Sequence, residues 1–305
     1  SRLDNQARVA TVHAMTADKK TEFARRLREG DYITAPGVFD LISARIADRM
    51  KFSALYMTGY GVVASSFGLP DAGLASYTEM VDRVRTIAAG TITPLIADAD
   101  TGYGGLLNVQ HTVRGYERAG AVAIQLEDQK IPKKCGHTPK RRVIPVEDMV
   151  AKIRVAVTAR ESENFLVIAR TDARTRYGLT EAISRGQAFA NAGADIVFVE
   201  APESVEEMTE ICRKIDCPLM ANMVDGGRTP LLTAEELKDI GYQIAIFPGT
   251  AFLAAGSAVE SVYQYLKTTG SSAGLPTPLY NFEEFSRLMG FEDVWAFEKK
   301  WTDPP

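Results

Sequence analysis

The chain has 305 residues, of which 46% are hydrophobic and 24% are charged, and both fractions are ordinary for a globular protein. Its formal net charge of −4 leaves no basic field that would attract nucleic acid or an anionic membrane. No apolar run approaches the roughly 20 residues that cross a bilayer. The composition therefore excludes a nucleic-acid-binding protein and a helical membrane protein.

Cysteine usage bears on the compartment. The three cysteines, Cys135, Cys212 and Cys217, are too few for an extracellular disulfide framework, which indicates a reducing compartment. The N-terminal segment lacks the apolar core of a signal peptide. We expect a cytoplasmic protein, with an organelle as the alternative.

Short apolar strands alternate with amphipathic helices after a first helix predicted at Lys19–Arg28. The eight predicted strands are Tyr32–Ala35, Ala54–Met57, Leu95–Ala97, Ala123–Leu126, Leu166–Ala169, Ile196–Val199, Leu219–Ala221 and Ile244–Phe247. A helix is predicted after each strand, and two of these helices begin with capping-box patterns, Ser204 with Glu207 and Thr233 with Glu236.

Eight strand–helix units in about 240 residues match an α/β protein with a (β/α)₈ TIM-type barrel. A doubly wound open sheet is the alternative, but its dinucleotide-type Gly-x-Gly-x-x-Gly is missing after the first strand. No linker divides the chain, so we predict one domain over residues 1–305. It would consist of an N-terminal helical segment (1–30), the barrel (31–269) and a helical tail (270–305). The tail is apolar enough to pack on this barrel or on a partner's.

The third strand runs into two carboxylates and a glycine-rich turn, with the sequence DADTGYGG at residues 98–105. Side chains repeat every two residues along a strand, so Asp98 and Asp100 point to the same side. Charge at the mouth of a core is costly unless a cation or hydrogen bonds compensate it. Two oxygen ligands on one face suit Mg²⁺. The alternative is a pair of solvated turn aspartates that cap the next helix.

Polar residues follow six of the eight predicted strands. They are Thr58, Tyr60, Asp98, Asp100, Glu127, Asp128, Arg170, Asp172, Glu200 and Asn222. In a barrel these positions meet at the carboxyl-terminal face, where active sites lie. Any single member could cap a helix, Asp172 in particular, but a cap does not require an arginine or a glutamate buried against a strand. The set as a whole predicts a catalytic or ligand-binding ring.

The charges of this ring point to a metal. Asp98, Asp100 and Glu127 bring three negative charges together, with Asp71 and Glu200 as further candidates, and Arg170 alone cannot neutralise them. An all-oxygen set of ligands favours Mg²⁺, or Mn²⁺, over zinc. A metal held in this way can chelate a 2-oxo or 2-hydroxy acid and stabilise an enolate oxygen.

A long loop over residues 130–142, KIPKKCGHTPKRR, places Cys135 among several cations. Such surroundings lower the pKa of a thiol and make it a proton donor or a nucleophile near neutral pH. Long barrel loops are also usual places for active-site lids. The alternative is a basic surface loop with an incidental cysteine. Cys212 and Cys217 lie on apolar stretches and are predicted to be core residues.

The same stretches resemble the isocitrate lyase/phosphoenolpyruvate mutase superfamily, over about residues 20 to 300. They are DADTGYG (98–104), EDQ (127–129), KCGH (134–137), ARTDA (169–173) and ANM (221–223). The resemblance implies a barrel whose last helices swap between subunits, usually in a homotetramer built as a dimer of dimers. It also implies Mg²⁺ and a 2-oxo or 2-hydroxy dicarboxylate in the mouth of the barrel.

The resemblance also implies a role for each matching residue. Asp98 would bind the metal directly, and Asp71, Asp100 and Glu127 would hold its waters. Cys135 would protonate the enolate that C–C cleavage leaves. The substrate carboxylate would bind to Arg170 and to the turn Thr58–Tyr60. The remaining implied residues are Tyr56 and Gly59 beside that carboxylate, Glu200, Asn222 and His137 lining the pocket, and Lys134, Gly136 and Pro248 in contact with substrate.

Two departures and one agreement bear on the substrate. Many relatives have arginine where this chain has Lys134, and lysine lacks the planar fork that grips a carboxylate. Residues 223–230, MVDGGRTP, are similar to the branch that acts on oxaloacetate and 2-alkylmalates, whereas methylisocitrate lyases typically carry Glu-Phe-Gly there. Pro248 is more similar to the lyases than to the oxaloacetate hydrolases.

These observations together predict a magnesium-dependent carbon–carbon lyase. Its substrate would be a 2-hydroxy di- or tricarboxylate of the 2-methylisocitrate or 2-alkylmalate type, cleaved to a 2-oxo acid and a second carboxylic acid. The alternatives are an oxaloacetate hydrolase or decarboxylase and, further off, a phosphonate or carboxyphosphonate mutase. From a different class, the chain could be a non-catalytic binding protein that has kept the ring.

Overall fold

The computed structural model describes residues 19–134 and 141–302. These residues form two compact units, with the division between Ala251 and Phe252. The strands, all in the first unit, are β1 (Ile33–Val38), β2 (Leu55–Met57), β3 (Leu95–Asp98), β4 (Ala123–Glu127), β5 (Leu166–Thr171), β6 (Ile196–Val199), β7 (Leu219–Asn222) and β8 (Ile244–Phe247).

Helices follow the strands in sequence. They are α1 (residues 19–28), α2 (Leu41–Arg49), α3 (Gly59–Phe67), α4 (Tyr77–Gly90), α5 (Leu106–Ala119), α6 (Val146–Ala159), α7 (Arg174–Tyr177), α8 (Leu179–Asn191), α9 (Val205–Lys214), α10 (Ala234–Ile240), α11 (Thr250–Thr269), α12 (Phe282–Leu288) and α13 (Phe291–Trp301). All thirteen lie in the part of the chain that the structure describes.

The eight strands form a closed barrel in sequence order. Every pairing is parallel, and the ring closes where Ile33 of β1 is in register with Ile244 of β8. The predicted (β/α)₈ fold is confirmed. Closure brings the carboxyl ends of all strands to one mouth, and it leaves no strand edge open.

The barrel has an inner and an outer apolar layer. The inner layer fills the barrel, and α1 closes it with Phe23, which is 1% exposed. The outer layer packs the opposite faces of the strands against the helices. On β5, Leu166 and Ile168 belong to the inner layer while Val167 and Ala169 belong to the outer one. This two-residue alternation decides which side chains reach the mouth.

The strands run further than the sequence indicated. Strands β3, β4, β5 and β7 end at Asp98, Glu127, Thr171 and Asn222, so these polar residues are strand residues and not loop residues. Two helices were not predicted, α3 and α7. The α3 sequence, GYGVVASSF, is rich in residues with weak helix propensity. It forms because Thr58 caps it and because Val62 and Val63 are buried.

The second unit begins within α11 and contains α12 and α13. Asn281 caps α12 by accepting a hydrogen bond from the backbone N–H of Glu284. Large apolar side chains of this unit are exposed in the single chain, and they include Tyr263, Phe282, Phe297 and Trp301. The predicted tail helices are therefore present. Their predicted exchange between subunits, like the predicted division into segments 1–30, 31–269 and 270–305, stays a prediction.

Within the described ranges, no helix combines enough length with enough apolar character to cross a bilayer.

Candidate active site

On five neighbouring strands the inward-facing side chains are apolar inside the barrel and polar at its mouth. On β5, Arg170 continues the inward series of Leu166 and Ile168. The other polar members of this ring are Asp98 on β3, Gln125 and Glu127 on β4, Glu200 directly after β6 and Asn222 on β7. All six are at most 8% exposed. The structure therefore brings together five residues of the predicted ring (Asp98, Glu127, Arg170, Glu200 and Asn222) with Gln125, and strand register places them there.

The carboxylate of Asp98 has two differently placed oxygens. Oδ1 accepts a hydrogen bond from the backbone N–H of Asp100 at 3.0 Å and from Nε2 of Gln125 at 3.4 Å. Gln125 in turn accepts the Tyr56 hydroxyl at 2.9 Å. Oδ2 lies toward Gly59, where a Cβ atom would be only 2.6 Å away. Asp98 thus has one oxygen held by the protein and the other directed at the first turn of α3, a position that favours negative charge.

The turn after Asp98 has an unusual backbone. Asp100 and Tyr103 have positive φ angles of 49° and 58°, a conformation that costs free energy unless the surroundings enforce it. Here the carbonyl of Asp100 accepts the backbone N–H of Glu127 at 2.9 Å. The Tyr116 hydroxyl lies 2.8 Å from that of Tyr103 and donates to the Asp98 carbonyl at 3.3 Å. These contacts hold the two aspartates in place.

Lys133 enters the mouth from the long loop and is only 5% exposed. Its Nζ lies 2.5 Å from Oδ1 of Asp71 and 2.5 Å from Oδ1 of Asp100. Burial alone would lower the pKa of Lys133, but the neighbouring carboxylates, with Asp100 and Glu127 foremost, raise it well above the usual value. The side chain is therefore a buried cation that joins two of the four predicted metal carboxylates.

Arg170 lies at the centre of a second group of charges. Its Nε and Nη2 donate to the two carboxylate oxygens of Asp172, each at 2.9 Å. Nη2 lies 3.2 Å from Oε2 of Glu200, and Nη1 lies 3.5 Å from Oε2 of Glu127. Burial opposes the charge of the guanidinium, yet the surrounding carboxylates raise its pKa well above the ordinary value. Asn222 completes the group by donating to Glu200 at 3.0 Å.

The helix-cap alternatives are wrong for the aspartates of the ring. The residue that caps α5 is Gly105, and Asp98 and Asp100 are each only 8% exposed. The residue at the start of α7 is Ala173, with no side-chain cap. Asp172 is 1% exposed and binds arginines instead.

Among the described residues, the mouth carries more negative than positive charge. Its six carboxylates are Asp71, Asp98, Asp100, Glu127, Asp172 and Glu200, and the described cations beside them are Lys133, Arg141 and Arg170. Burial and then the charge of Asp100 raise the pKa of Asp98 to about 6. Burial also raises the pKa of Glu127 well above its usual value. The raised pKa values mean that the ionised forms of these carboxylates are unfavourable in the site as it stands. A cation bound beside them would stabilise the ionised forms.

Two oxygen atoms support the same conclusion. Oε1 of Glu127 and Oδ1 of Asn222 are buried and have no hydrogen-bond partner among the described residues. Unsatisfied hard oxygens next to excess negative charge suit Mg²⁺ or Mn²⁺. Within the described ranges, however, no three His, Cys, Asp or Glu side chains are placed to enclose an ion. The metal roles of Asp71, Asp98, Asp100 and Glu127 therefore stay predictions.

Other predicted catalytic and substrate-binding residues fall into three sets. Tyr56 and Thr58 are buried at the end of β2, and burial raises the pKa of the Tyr56 hydroxyl well above 10, so it stays protonated. Tyr60 on α3 is 40% exposed, and Pro248 is half-buried just after β8. The third set, Cys135, Gly136 and His137, lies outside the described residues.

Lys134 has an exposed side chain and a firmly held backbone. Its N–H donates to Oε1 of Gln129 at 2.9 Å, and its carbonyl accepts from Nε2 of Gln129 at 2.8 Å. Cys212 and Cys217 pack against the core as predicted, and burial raises the pKa of each thiol to about 12, so neither is poised as a nucleophile.

Sequence reasoning missed three residues of the mouth: Gln125, Lys133 and Arg141. Gln125 had a usable signal, because it lies two residues before Glu127 on a buried strand and so shares its face. Lys133 and Arg141 lie on the long loop, where no periodicity indicates direction.

Comparisons with known proteins agree with this geometry. The family described as phosphoenolpyruvate phosphomutase matches residues 23–267. The 2,3-dimethylmalate lyase of Eubacterium barkeri is 47% identical over 270 residues, which cover 88% of this chain and 93% of the relative. The 2-methylisocitrate lyase of Aeropyrum pernix is 43% identical, over 90% of this chain and 87% of the relative.

Solved structures of related proteins superpose closely. A 2,3-dimethylmalate lyase, described as a PEP mutase/isocitrate lyase superfamily member, gives a TM-score of 0.87 at 36% identity, covering 92% of this chain and 95% of that one. An oxaloacetate acetylhydrolase bound to 3,3-difluorooxalacetate gives 0.85 at 34% identity, covering 92% and 97%. A phosphonopyruvate hydrolase bound to oxalate and Mg²⁺ gives 0.83 at 29% identity, covering 93% and 99%. The chain therefore belongs to the PEP mutase/isocitrate lyase superfamily, as a carbon–carbon lyase.

Proposed function

We propose that the chain cleaves the C2–C3 bond of a 2-hydroxy di- or tricarboxylate, of the 2-alkylmalate or 2-methylisocitrate type, with Mg²⁺ as cofactor. The products would be a 2-oxo acid and a second carboxylic acid. The observation that carries the proposal is the ring of buried side chains at the mouth, in which excess carboxylates lie beside one arginine. The relatedness to 2,3-dimethylmalate lyase and 2-methylisocitrate lyase supports the substrate class.

Arg170 would bind one substrate carboxylate. Its guanidinium is held on one edge by Asp172 and lies close to Glu127 and Glu200 on the other. A planar fork of fixed orientation recognises a carboxylate through two hydrogen bonds. The backbone N–H groups of Gly59 and Tyr60, at the first turn of α3, would bind the same end of the substrate.

Four carboxylates would hold the metal. Asp98 would bind it through Oδ2, because Oδ1 is already engaged, while Asp71, Asp100 and Glu127 would hold its waters. When bound, the metal would polarise the 2-oxygen of the substrate and stabilise negative charge that develops on it. Lys133 lies between two of these carboxylates, Asp71 and Asp100, and supplies positive charge there.

The enolate that C–C cleavage leaves would need a proton donor. We assign it to Cys135, with His137, Gly136 and Lys134 beside it on the long loop. A thiol among cations is acidic enough to donate a proton near neutral pH. Cys135→Ser should lower turnover by a factor of about 10³ or more while the fold is kept, in line with the loss of an essential general acid. Near-normal turnover of this variant would remove Cys135 from the mechanism.

Hydrolysis of oxaloacetate is the second candidate. The structural likeness to oxaloacetate acetylhydrolase and the MVDGGRTP sequence favour it, whereas Pro248 favours the lyase. Both reactions place a 2-oxygenated di- or tricarboxylic acid in the same mouth, so the ring alone does not separate them.

A panel of substrates separates the candidates. Purified protein with Mg²⁺ would be incubated with 2,3-dimethylmalate, 2-ethylmalate, citramalate, 2-methylisocitrate, isocitrate, oxaloacetate and phosphonopyruvate, and the product acids identified by mass. Cleavage of a hydroxy acid to a 2-oxo acid supports the lyase. Reaction of oxaloacetate alone supports the second candidate, and oxalate against pyruvate as product distinguishes hydrolysis from decarboxylation. Mg²⁺ binding with no turnover on the panel would contradict both and favour a binding protein.

We infer further that the chain assembles as a homotetramer built from two dimers. The exposed aromatic side chains of the second unit support this inference, since Phe282 is 86% exposed and Trp301 is 65% exposed in the single chain. Surfaces of this kind are usually buried against another chain. Light scattering coupled to size exclusion would give about four times the mass of 33.3 kDa; a monomer at micromolar concentration would contradict the inference.

A further inference from the structure

The carboxylate of Asp172 joins two arginines that come from different parts of the chain. Arg170 on β5 binds both of its oxygens, and Arg141, at the end of the long loop, binds Oδ1. All three residues are at most 7% exposed. Burial by itself would raise the pKa of Asp172, but the two guanidinium groups hold it below its usual value.

The backbone at Asp172 is fixed independently of these arginines. Its N–H donates to Oδ1 of Asp128 at 2.9 Å, and Oδ2 of Asp128 accepts the Thr171 hydroxyl at 2.8 Å. Arg185 pairs with the same Asp128 oxygen at 3.1 Å and donates to the carbonyl of Ile144 at 2.9 Å. The Asp172 carboxylate is therefore attached to a rigid support, and it can impose an orientation on a neighbour.

Arg170 has three competing carboxylates within reach. A guanidinium can bind a carboxylate through two hydrogen bonds on its Nε–Nη2 edge or on its Nη1–Nη2 edge. The remaining N–H of Nη1 can donate only a single hydrogen bond. Asp172 takes the Nε–Nη2 edge with two bonds of 2.9 Å, whereas Glu127 and Glu200 lie further away, at 3.5 Å and 3.2 Å. If Asp172 were neutral, the guanidinium would be drawn toward these two glutamates. The present orientation of the Nη1–Nη2 edge would then be lost.

We propose that Asp172 is a positioning residue that fixes the edge of Arg170 available to a substrate carboxylate, and that Arg141 keeps Asp172 in place. The role rests on the proposed function, in which Arg170 binds a carboxylate. Asp172 itself touches neither substrate nor metal. Its effect is specific to carboxylate binding, since the fold around it is held by Asp128.

The test compares two Asp→Asn variants that lie at opposite ends of β5, Asp172 just after the strand and Asp195 against its first residues. Asp172→Asn acts at the mouth. Asp195→Asn is the matched control at the other end of β5, where Asp195 binds Arg160 at 2.6 Å and the backbone N–H of Val167 at 2.8 Å. The probe is oxalate, whose two carboxylates lie back to back. Its dissociation constant in the presence of Mg²⁺ would be measured by calorimetry, together with kcat and KM for the substrate found in the panel and with the melting temperature.

We expect Asp172→Asn to weaken oxalate binding by about 10- to 100-fold, as for loss of a supporting contact behind a binding group, and to raise KM more than it lowers kcat. Asp195→Asn should lower the melting temperature and leave the oxalate affinity within twofold of the native value. Equal oxalate affinity in Asp172→Asn and the native protein would overturn the proposal, whatever happens to stability.

Two further outcomes are distinguishable. If the native protein bound Mg²⁺ but neither oxalate nor any panel substrate, the proposed function would fail, and the role of Asp172 with it. If Asp172→Asn did not fold, Arg141→Lys would test the same link from the loop side, because lysine keeps the charge but not the fork. A three- to tenfold loss of oxalate affinity would support the proposal, and an unchanged affinity would overturn it.

Discussion

Buried or half-buried carboxylates occur at both ends of the barrel, but their surroundings differ. At the amino-terminal end of the strands, Asp48 accepts the backbone N–H groups of Ile92 and Thr93 at 3.0 Å and 2.7 Å. Glu117 accepts Lys20 at 2.7 Å and the N–H of Glu161 at 2.6 Å. Each carboxylate there meets donors that loops and helix ends supply.

At the mouth the same residue types remain in excess. Six carboxylates face three described cations, and burial raises the pKa of Asp98 to about 6. Folding alone gains nothing from such a cluster, because buried charge without compensation costs free energy. The difference teaches that the carboxylates at the amino-terminal end are compensated within the fold, whereas the excess charge at the mouth is what a binding site for a cation would need.

Asp98→Asn should have the largest effect. We expect turnover to fall by a factor of about 10³ or more, because the variant removes the charge that would bind the metal directly. The melting temperature of the metal-free protein should rise or stay unchanged near pH 7, since a buried charge is removed while the acceptor for Gln125 is kept. Steady-state kinetics and thermal unfolding check both parts. Turnover within tenfold of the native value would show that Asp98 is not the metal ligand.

Gln125→Leu should weaken Mg²⁺ binding by about 10- to 100-fold, the usual cost of losing a residue that orients a metal ligand. The change removes the donor to Asp98 Oδ1 and leaves the Tyr56 hydroxyl without its acceptor. Calorimetric titration with Mg²⁺ measures the effect. Gln187→Leu, which removes only a surface hydrogen bond to the carbonyl of Lys214, is the matched control.

Stability of the metal-free protein should decrease as the pH rises from 5 to 8. Burial raises the pKa of both Asp98 and Asp128 to about 6. A carboxyl whose pKa is higher in the folded state favours folding at low pH, and this contribution is lost as the pH rises through 6. The depressed pKa of Asp172 acts only at lower pH, below its usual value. Thermal unfolding at each pH tests this, and saturating Mg²⁺ should flatten the slope. A melting temperature that rises over this range would contradict the charge assignment.

Glu117→Gln should have the smallest effect on catalysis. We expect a loss of about 1–3 kcal/mol in the free energy of unfolding, typical for hydrogen bonds to a charged group, because Lys20 loses its partner. The values of kcat and KM should stay within twofold of the native ones, since Glu117 lies at the end of the barrel away from the mouth. A drop in kcat of tenfold or more would contradict the view that carboxylates at the amino-terminal end of the barrel contribute to stability and not to catalysis.

The barrel and most of the ring could be predicted because both follow from strand register. Asp98, Glu127, Arg170, Glu200 and Asn222 each follow an apolar strand, and parallel closure brings such positions together. The predicted ends of β3, β4, β5 and β7 were too early by one or two residues, because polar residues look like loop residues until the barrel closes around them.

The remaining features depend on the path of the chain in three dimensions. Lys133 reaches Asp71 across 62 positions of sequence, and Arg141 reaches Asp172 across 31. Helix α3 forms because tertiary burial and the Thr58 cap outweigh its weak propensity. Local pattern contains no information about such contacts. Cys135 lies outside the described residues, so its role as proton donor rests on the sequence alone.

The ammonium group of Lys133 has a practical consequence. It already supplies a positive charge between Asp71 and Asp100, so the barrel does not rely on a metal ion to hold these carboxylates together. Chelator-treated protein should therefore keep its fold, unlike small domains that a structural zinc ion holds together. Paramagnetic Mn²⁺ could then be exchanged into the folded enzyme. Its electron resonance spectrum would report directly on the oxygens around the ion.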